Sequence, residues 1–174
     1  KSYNQKRLSA DVSFIGSLYN EEHNLYDNLK NLSNYTKGFL DGILKAQSQV
    51  YGYNFMQECL TPSILRQLQE ATHYKKNIDG VEPLSYIISD YFLSRKLTSI
   101  ERIEYLTLIS KQFSLKLFTS DPNISVGLCQ NMGPADYLSE TPYIFHNSKI
   151  NLNFTLRSIR SGIPLRCMEI MASG

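Results

Sequence analysis

At 174 residues with 42% hydrophobic content, the chain is long enough for a real core and reads as one domain. Its formal net charge of +2 implies no broad electrostatic surface for nucleic acid or for an acidic membrane. No apolar run is long enough to span a bilayer. The opening Lys1-Ser-Tyr-Asn-Gln-Lys-Arg7 is polar and no apolar segment follows it, so it does not read as a signal peptide. The chain starts without Met, which reads as a piece cut from a longer protein. Cys59, Cys129 and Cys167 lie far apart. That spacing argues for reduced thiols in a cytoplasmic protein rather than for a disulfide framework or a zinc site.

In chain order, Asp11–Gly16 alternates as an apolar strand ending at Gly16-Ser17, where glycine lets the backbone approach a ligand closely. Residues 21–60 read as helical, with Leu25, Leu29 and Leu32 at helical spacing and Phe39, Ile43 and Leu44 continuing the face. Thr61-Pro62 is a cap followed by proline in the first turn, so a helix runs to about Tyr74. Lys75–Gly80 is a polar loop, and Glu82–Ser94 a helix. Thr98-Ser-Ile-Glu101 matches the capping-box pattern and predicts a new helix to about Gln112. Leu115–Thr119 is a short strand and Val126–Cys129 another, ending near Asn131-Met-Gly133. Leu138–Asn147 is a helix, with Asp136 as its N-cap. Ile150–Thr155 is a strand. A short helix follows, with Pro164 in its first turn and Gly174 as its C-terminal cap. The alternation predicts an α/β fold with a parallel sheet, interrupted by a helical insertion over about 20–97.

The chemistry concentrates in the last 25 residues. A strand, a Gly/Ser/Arg turn and a helix N-terminus make a phosphate cradle. Arg157, Arg160 and Arg166 stand within ten residues of one another, and guanidinium forks suit phosphate oxygens. The competing reading is solvent-facing arginines on a loop. Glu169 lies one turn further in and either reaches a ribose hydroxyl or sits on an exposed helix face. Gly16 and Ser17, with Leu18 and Tyr19, lie against a diphosphate or a transferred sugar, or form a plain strand-to-helix turn. Asn131 and Gly133, with Tyr137, read from the residues as a β–α loop with glycine for its turn. No G-x-G-x-x-G, P-loop or Asp-x-Asp motif occurs. His23, His73 and His146 share no spacing with one another or with acids and read as surface or capping residues. No metal ligand set and no catalytic residue is assigned.

Two stretches, Ile150–Gly174 and Asp11-Val-Ser-Phe-Ile-Gly-Ser-Leu-Tyr19, resemble the CgeB-like (spore-maturation type) bacterial glycosyltransferases. Fainter similarity, including Asn131-Met-Gly133 and Ser99-Ile-Glu-Arg102, spans most of the chain. The resemblance implies a GT-B architecture, of which residues 1–174 would be the C-terminal, Rossmann-like donor-binding domain, incomplete and inactive alone. It implies a nucleotide-activated sugar as substrate, an unidentified acceptor, no separate cofactor, and an N-terminal domain of the same protein as partner. Glu169 would hold the ribose hydroxyls, and Asn131 and Gly133, with Tyr137, would lie where the nucleobase passes. The wider superfamily carries a second acid eight residues earlier, but Ser161 stands there, so retaining or inverting chemistry stays open. The alternative expectation is a non-catalytic Rossmann-like module that uses residues 20–97 to bind a protein.

Overall fold

The computed structural model describes residues 5–20, 24–74 and 79–174. The expected surface histidine at 23 and residues 75–78 of the expected loop lie outside them. The elements run α1 (Gln5–Leu8), β1 (Ala10–Ile15), α2 (Asn34–Ser48), α3 (Met56–Cys59), α4 (Pro62–Thr72) and α5 (Leu84–Ile87). A π-helical segment, Ile88–Leu93, joins α5 to α6 (Ser94–Ser110). β2 (Leu115–Phe118), β3 (Gln130–Asn131), α7 (Thr141–His146), β4 (Ser148–Leu152) and α8 (Leu165–Ala172) complete the chain. The fold is α/β and Rossmann-like. All strand pairs are parallel, in the order β3-β2-β1-β4. Among the described residues, no helix is long and apolar enough to cross a membrane.

The chain divides into two compact units. The sheet unit holds residues 1–18, 100–155 and 161–174, and the helical unit holds 19–99 and 156–160.

In the sheet unit, Val12 pairs with Leu115 on one side and with Ile150 on the other. The strands expected near residues 11–16 and 115–119 are thus neighbours, as the alternation predicted, and the third lies beside the first, but at Ser148–Leu152 rather than 150–155. Val12, Phe14, Leu115 and Leu117 are buried with Leu18, Leu106 and Val126. Ser13, also buried, donates to Asn151 Oδ1 at 2.6 Å, so the polar group on the second face of β1 is satisfied within the sheet.

The predicted strand at 126–129 is instead a turn. Gly127 has φ +50°, and Cys129 N donates to Val126 O at 3.0 Å. The strand begins only at Gln130. The predicted helix at 138–147 shortens to α7 for a similar reason. Asp136 Oδ1 accepts from Ser139 N and Oγ, which closes a turn ahead of the helix. Asp136 therefore organises that turn and does not cap α7, whose N-cap is Glu140. Pro164 stands at the N-cap of α8, and Gly174 follows its end at φ +87°, the conformation expected of a terminating glycine.

In the helical unit no strand occurs among the described residues. Ser33 caps α2 by accepting from Thr36 N, and Leu40, Ile43, Leu44 and Gln47 form its buried face. The expected helix covers neither residues 24–33, where Leu25, Leu29 and Leu32 lie outside any helix, nor residues 49–55. Buried Gln47 staples that stretch instead: its amide donates to Val50 O and Tyr53 O and accepts from Phe55 N. Thr61 caps α4 as predicted, accepting from Ile64 N at 3.4 Å. Thr61→Ala should lower stability by about 1 kcal/mol in urea denaturation, with an unchanged denaturant slope. Tyr26 donates to Asp41 at 2.7 Å, and burial followed by that bond pushes its hydroxyl pKa far above the ordinary value.

The predicted capping box at Thr98 is not a helix start. The chain is helical from Leu84 to Ser110. The Thr98 hydroxyl donates back to Ser94 O at 2.8 Å and accepts from Arg157 N at 3.0 Å. A side chain used in both ways is unavailable as a cap.

Candidate functional site

The carboxyl edge of the sheet is the place to look, because parallel strands bring their following loops together there. The chain leaves β1 toward β2 and β3 on one side and returns to β4 on the other. The β1–β4 gap is therefore the topological switch point, where α/β sheets open a crevice. Gly16 and Ser17 follow β1 and Phe154 follows β4, so all three lie at that gap.

The group between those loops is Arg102, which the sequence reading did not single out as a site residue. It is 8% exposed. Its Nη1 donates to Ser17 O and its Nη2 to Phe154 O, each at 2.5 Å. The guanidinium lies 5.4 Å from the Phe14 ring centroid. Phe154 in turn stacks on Tyr105, with centroids 5.8 Å apart. One arginine thus ties the ends of two neighbouring strands. The available signal was position: Arg102 falls four residues before the buried Leu106, a charge on the apolar face of a helix.

Gly16 continues the sheet, donating its N–H to Phe118 O at 3.0 Å. A Cβ there would stand 3.2 Å from Phe14 Cζ, so the glycine admits the Phe14 ring. Asn131 is occupied within its own loop. Its amide donates to Asp121 O and Ile124 O and accepts from Gly133 N, all at 2.9 Å. Gly133 is buried with φ +72°, as a turn glycine.

On α8, Arg166 and Glu169 come together. Arg166 Nη1 lies 2.7 Å from Glu169 Oε2, and the Arg166 guanidinium sits 5.4 Å from the Phe145 ring centroid. Tyr137 donates to Glu169 Oε1 at 2.5 Å. That hydrogen bond, then the Glu169 charge, raises the pKa of the exposed Tyr137 phenol and keeps it protonated. Glu169 therefore has one oxygen on a cation and one on a hydroxyl, each replaceable by a ligand hydroxyl. His146 Nδ1 contacts Ser173 O at 3.0 Å at the far end of the helix.

The other two arginines find partners in the helical unit. Arg160 Nη2 donates to the buried Asp90 at 2.8 Å, and the Arg157 guanidinium lies 4.3 Å over the Tyr51 ring. Of the predicted site residues, the structure joins Arg166 to Glu169 and sets Gly16 and Ser17 at the switch point. Asn131 and Gly133 form a separate loop. Among the described residues, no group of three His, Cys, Asp or Glu is placed to hold a metal ion.

Compared with family models, with curated proteins and with solved structures, the chain matches none.

Proposed function

We propose that the chain binds the nucleoside diphosphate part of an activated sugar, as the donor-binding portion of a glycosyltransferase. The observation that carries this reading is the pairing of Arg166 with Glu169 on one turn of α8, the helix that follows the switch-point strand β4. In the reaction the bond from the anomeric carbon to the diphosphate oxygen breaks, and a bond to an acceptor oxygen forms. Charge grows on the leaving diphosphate. The N-terminus of α8 and Arg166 would meet it, since both are positive before the reaction begins. Glu169 would exchange Arg166 and Tyr137 for the two ribose hydroxyls, keeping charge-assisted hydrogen bonds throughout.

Calorimetry with a panel of nucleoside diphosphates and their parent nucleosides tests this. Glu169→Gln should weaken diphosphate binding by about 1.5–3 kcal/mol, the range for hydrogen bonds to a charged group. Arg166→Ala should cost affinity for the diphosphate and much less for the nucleoside. Equal losses for both ligands in Arg166→Ala, or no binding of any nucleotide, would remove the reading. The alternative, a protein-binding module built on residues 20–97, has weaker support. The large exposed apolar residues there, such as Tyr35 on α2 and Tyr51 and Val81 in loops, do not align on one helix.

A further inference from the structure

The helical unit contains a pocket of about 140 Å³ lined by Tyr86, Asp90, Tyr91, Arg95, Leu156 and Ser158. One wall is the helix from Tyr86 to Arg95, which passes through the π-helical segment. Such segments widen a helix by one residue per turn and recur at functional sites. The other wall is the turn at 156–160. That turn is pinned at two points, by Arg157 N on Thr98 Oγ1 and by Arg160 on Asp90, with Ser158 between the anchors.

The charges in the pocket do not play equal parts. Asp90 is buried and its charge is balanced by the Arg160 guanidinium at 2.8 Å. Arg95 is exposed, and its guanidinium lies 5.9 Å from the Tyr19 ring centroid and 5.8 Å from that of Tyr91. Among the described residues, no carboxylate forms an ion pair with it. An arginine with its faces against aromatic rings keeps its N–H edge for an oxyanion, and that edge is planar and forked. The Ser158 hydroxyl adds a neutral donor on the opposite wall.

We infer that this pocket binds a phosphate group, with Arg95 and Ser158 as its ligands and the Arg160–Asp90 pair as the strut that holds the turn in place. The pocket has room for several waters, or for one phosphate in their place. The inference does not rest on the donor reading, whose residues Arg166 and Glu169 belong to the sheet unit.

The test is a titration of the isotope-labelled chain with inorganic phosphate, following the Arg95 side-chain N–H and the Ser158 amide by NMR. Saturable shifts at both are expected. Arg95→Ala should weaken binding about tenfold or more, the loss of one charge-assisted hydrogen bond. Gly42→Ala, whose added Cβ meets nothing within 4 Å, should bind phosphate as the unaltered chain does. If Arg95→Ala does not fold, Arg95→Lys and Ser158→Ala carry the test, each with a several-fold loss. Absence of saturable shifts at Arg95 and Ser158, unchanged affinity in the Arg95 and Ser158 variants, or acetate binding as tightly as phosphate would each overturn the proposal. A chain that binds phosphate here and no nucleoside diphosphate would keep this pocket and lose the donor reading.

Discussion

Gly127→Ala will destabilise the fold by about 3 kcal/mol, combining a left-handed backbone on a residue with a Cβ and overpacking at a tight contact. Gly127 has φ +50°, and an added Cβ would stand 2.8 Å from Thr107 Cα and 2.7 Å from Ser110 Oγ. The first of these atoms is helix backbone and cannot step aside. The second is also engaged, since Ser110 Oγ accepts from Leu128 N at 2.9 Å. Relief would require the turn before β3 to lift off α6. Guanidinium denaturation measures the loss. Gly42→Ala is the control, because a Cβ on that α2 residue meets nothing within 4 Å. There the same change should stabilise by about 0.5–1 kcal/mol through helix propensity and the unfolded chain. Two alanine variants of equal stability would contradict this account of the turn.

Arg102→Met should cost a similar amount, about 3 kcal/mol, because it leaves two strand-end carbonyls without their charged donor. Methionine keeps most of the buried stem, so the loss reports the guanidinium rather than its packing. Ser17 O and Phe154 O end adjacent parallel strands, and one planar cation reaches both. Arg102→Lys should recover only part of the loss, since an ammonium lacks the fork that spans two acceptors. Denaturation of the three proteins is the measurement. A cost below about 1 kcal/mol for Arg102→Met would mean that water satisfies both carbonyls as well as arginine does.

The parts of the fold that could be read from the chain are those in which neighbours along the sequence decide the outcome. β1 and β2 carry closely spaced apolar residues, Ile150 and Leu152 alternate with polar residues in β4, and Thr61-Pro62 starts α4 with a cap that needs only Ile64 N. The misreadings share a different cause. Thr98 looked like a cap, but its oxygen is taken by a residue 59 positions away. Arg157, Arg160 and Arg166 looked like one cationic cluster. The turn at 156–160 gives the first two partners at Tyr51 and Asp90, which lie far earlier in the chain. Hydrogen-bonding capacity is visible in a sequence; its allocation among distant partners is not. Arg166 and Glu169 were each legible as polar residues of one short helix, and their shared turn brings them together.

Among the described residues β4 lies at the end of the strand order, and this bears on how a chain of residues 1–174 behaves in concentrated solution. An edge strand carries a row of unpaired N–H and C=O groups that a second chain can continue as sheet. The opposite edge, β3, is only two residues long and offers little template. β4 is five residues long and runs into Asn153-Phe154, an alternating apolar stretch whose Ile150 is exposed. Between His146 and Arg157 the only charged residue is Lys149. Its ammonium stays largely in water while pairing with Asp11 on the adjacent strand at 2.6 Å. A solvated charge on an open edge must be desolvated before another strand can dock, and Lys149 supplies the barrier to edge-to-edge aggregation where the sheet is most open to it.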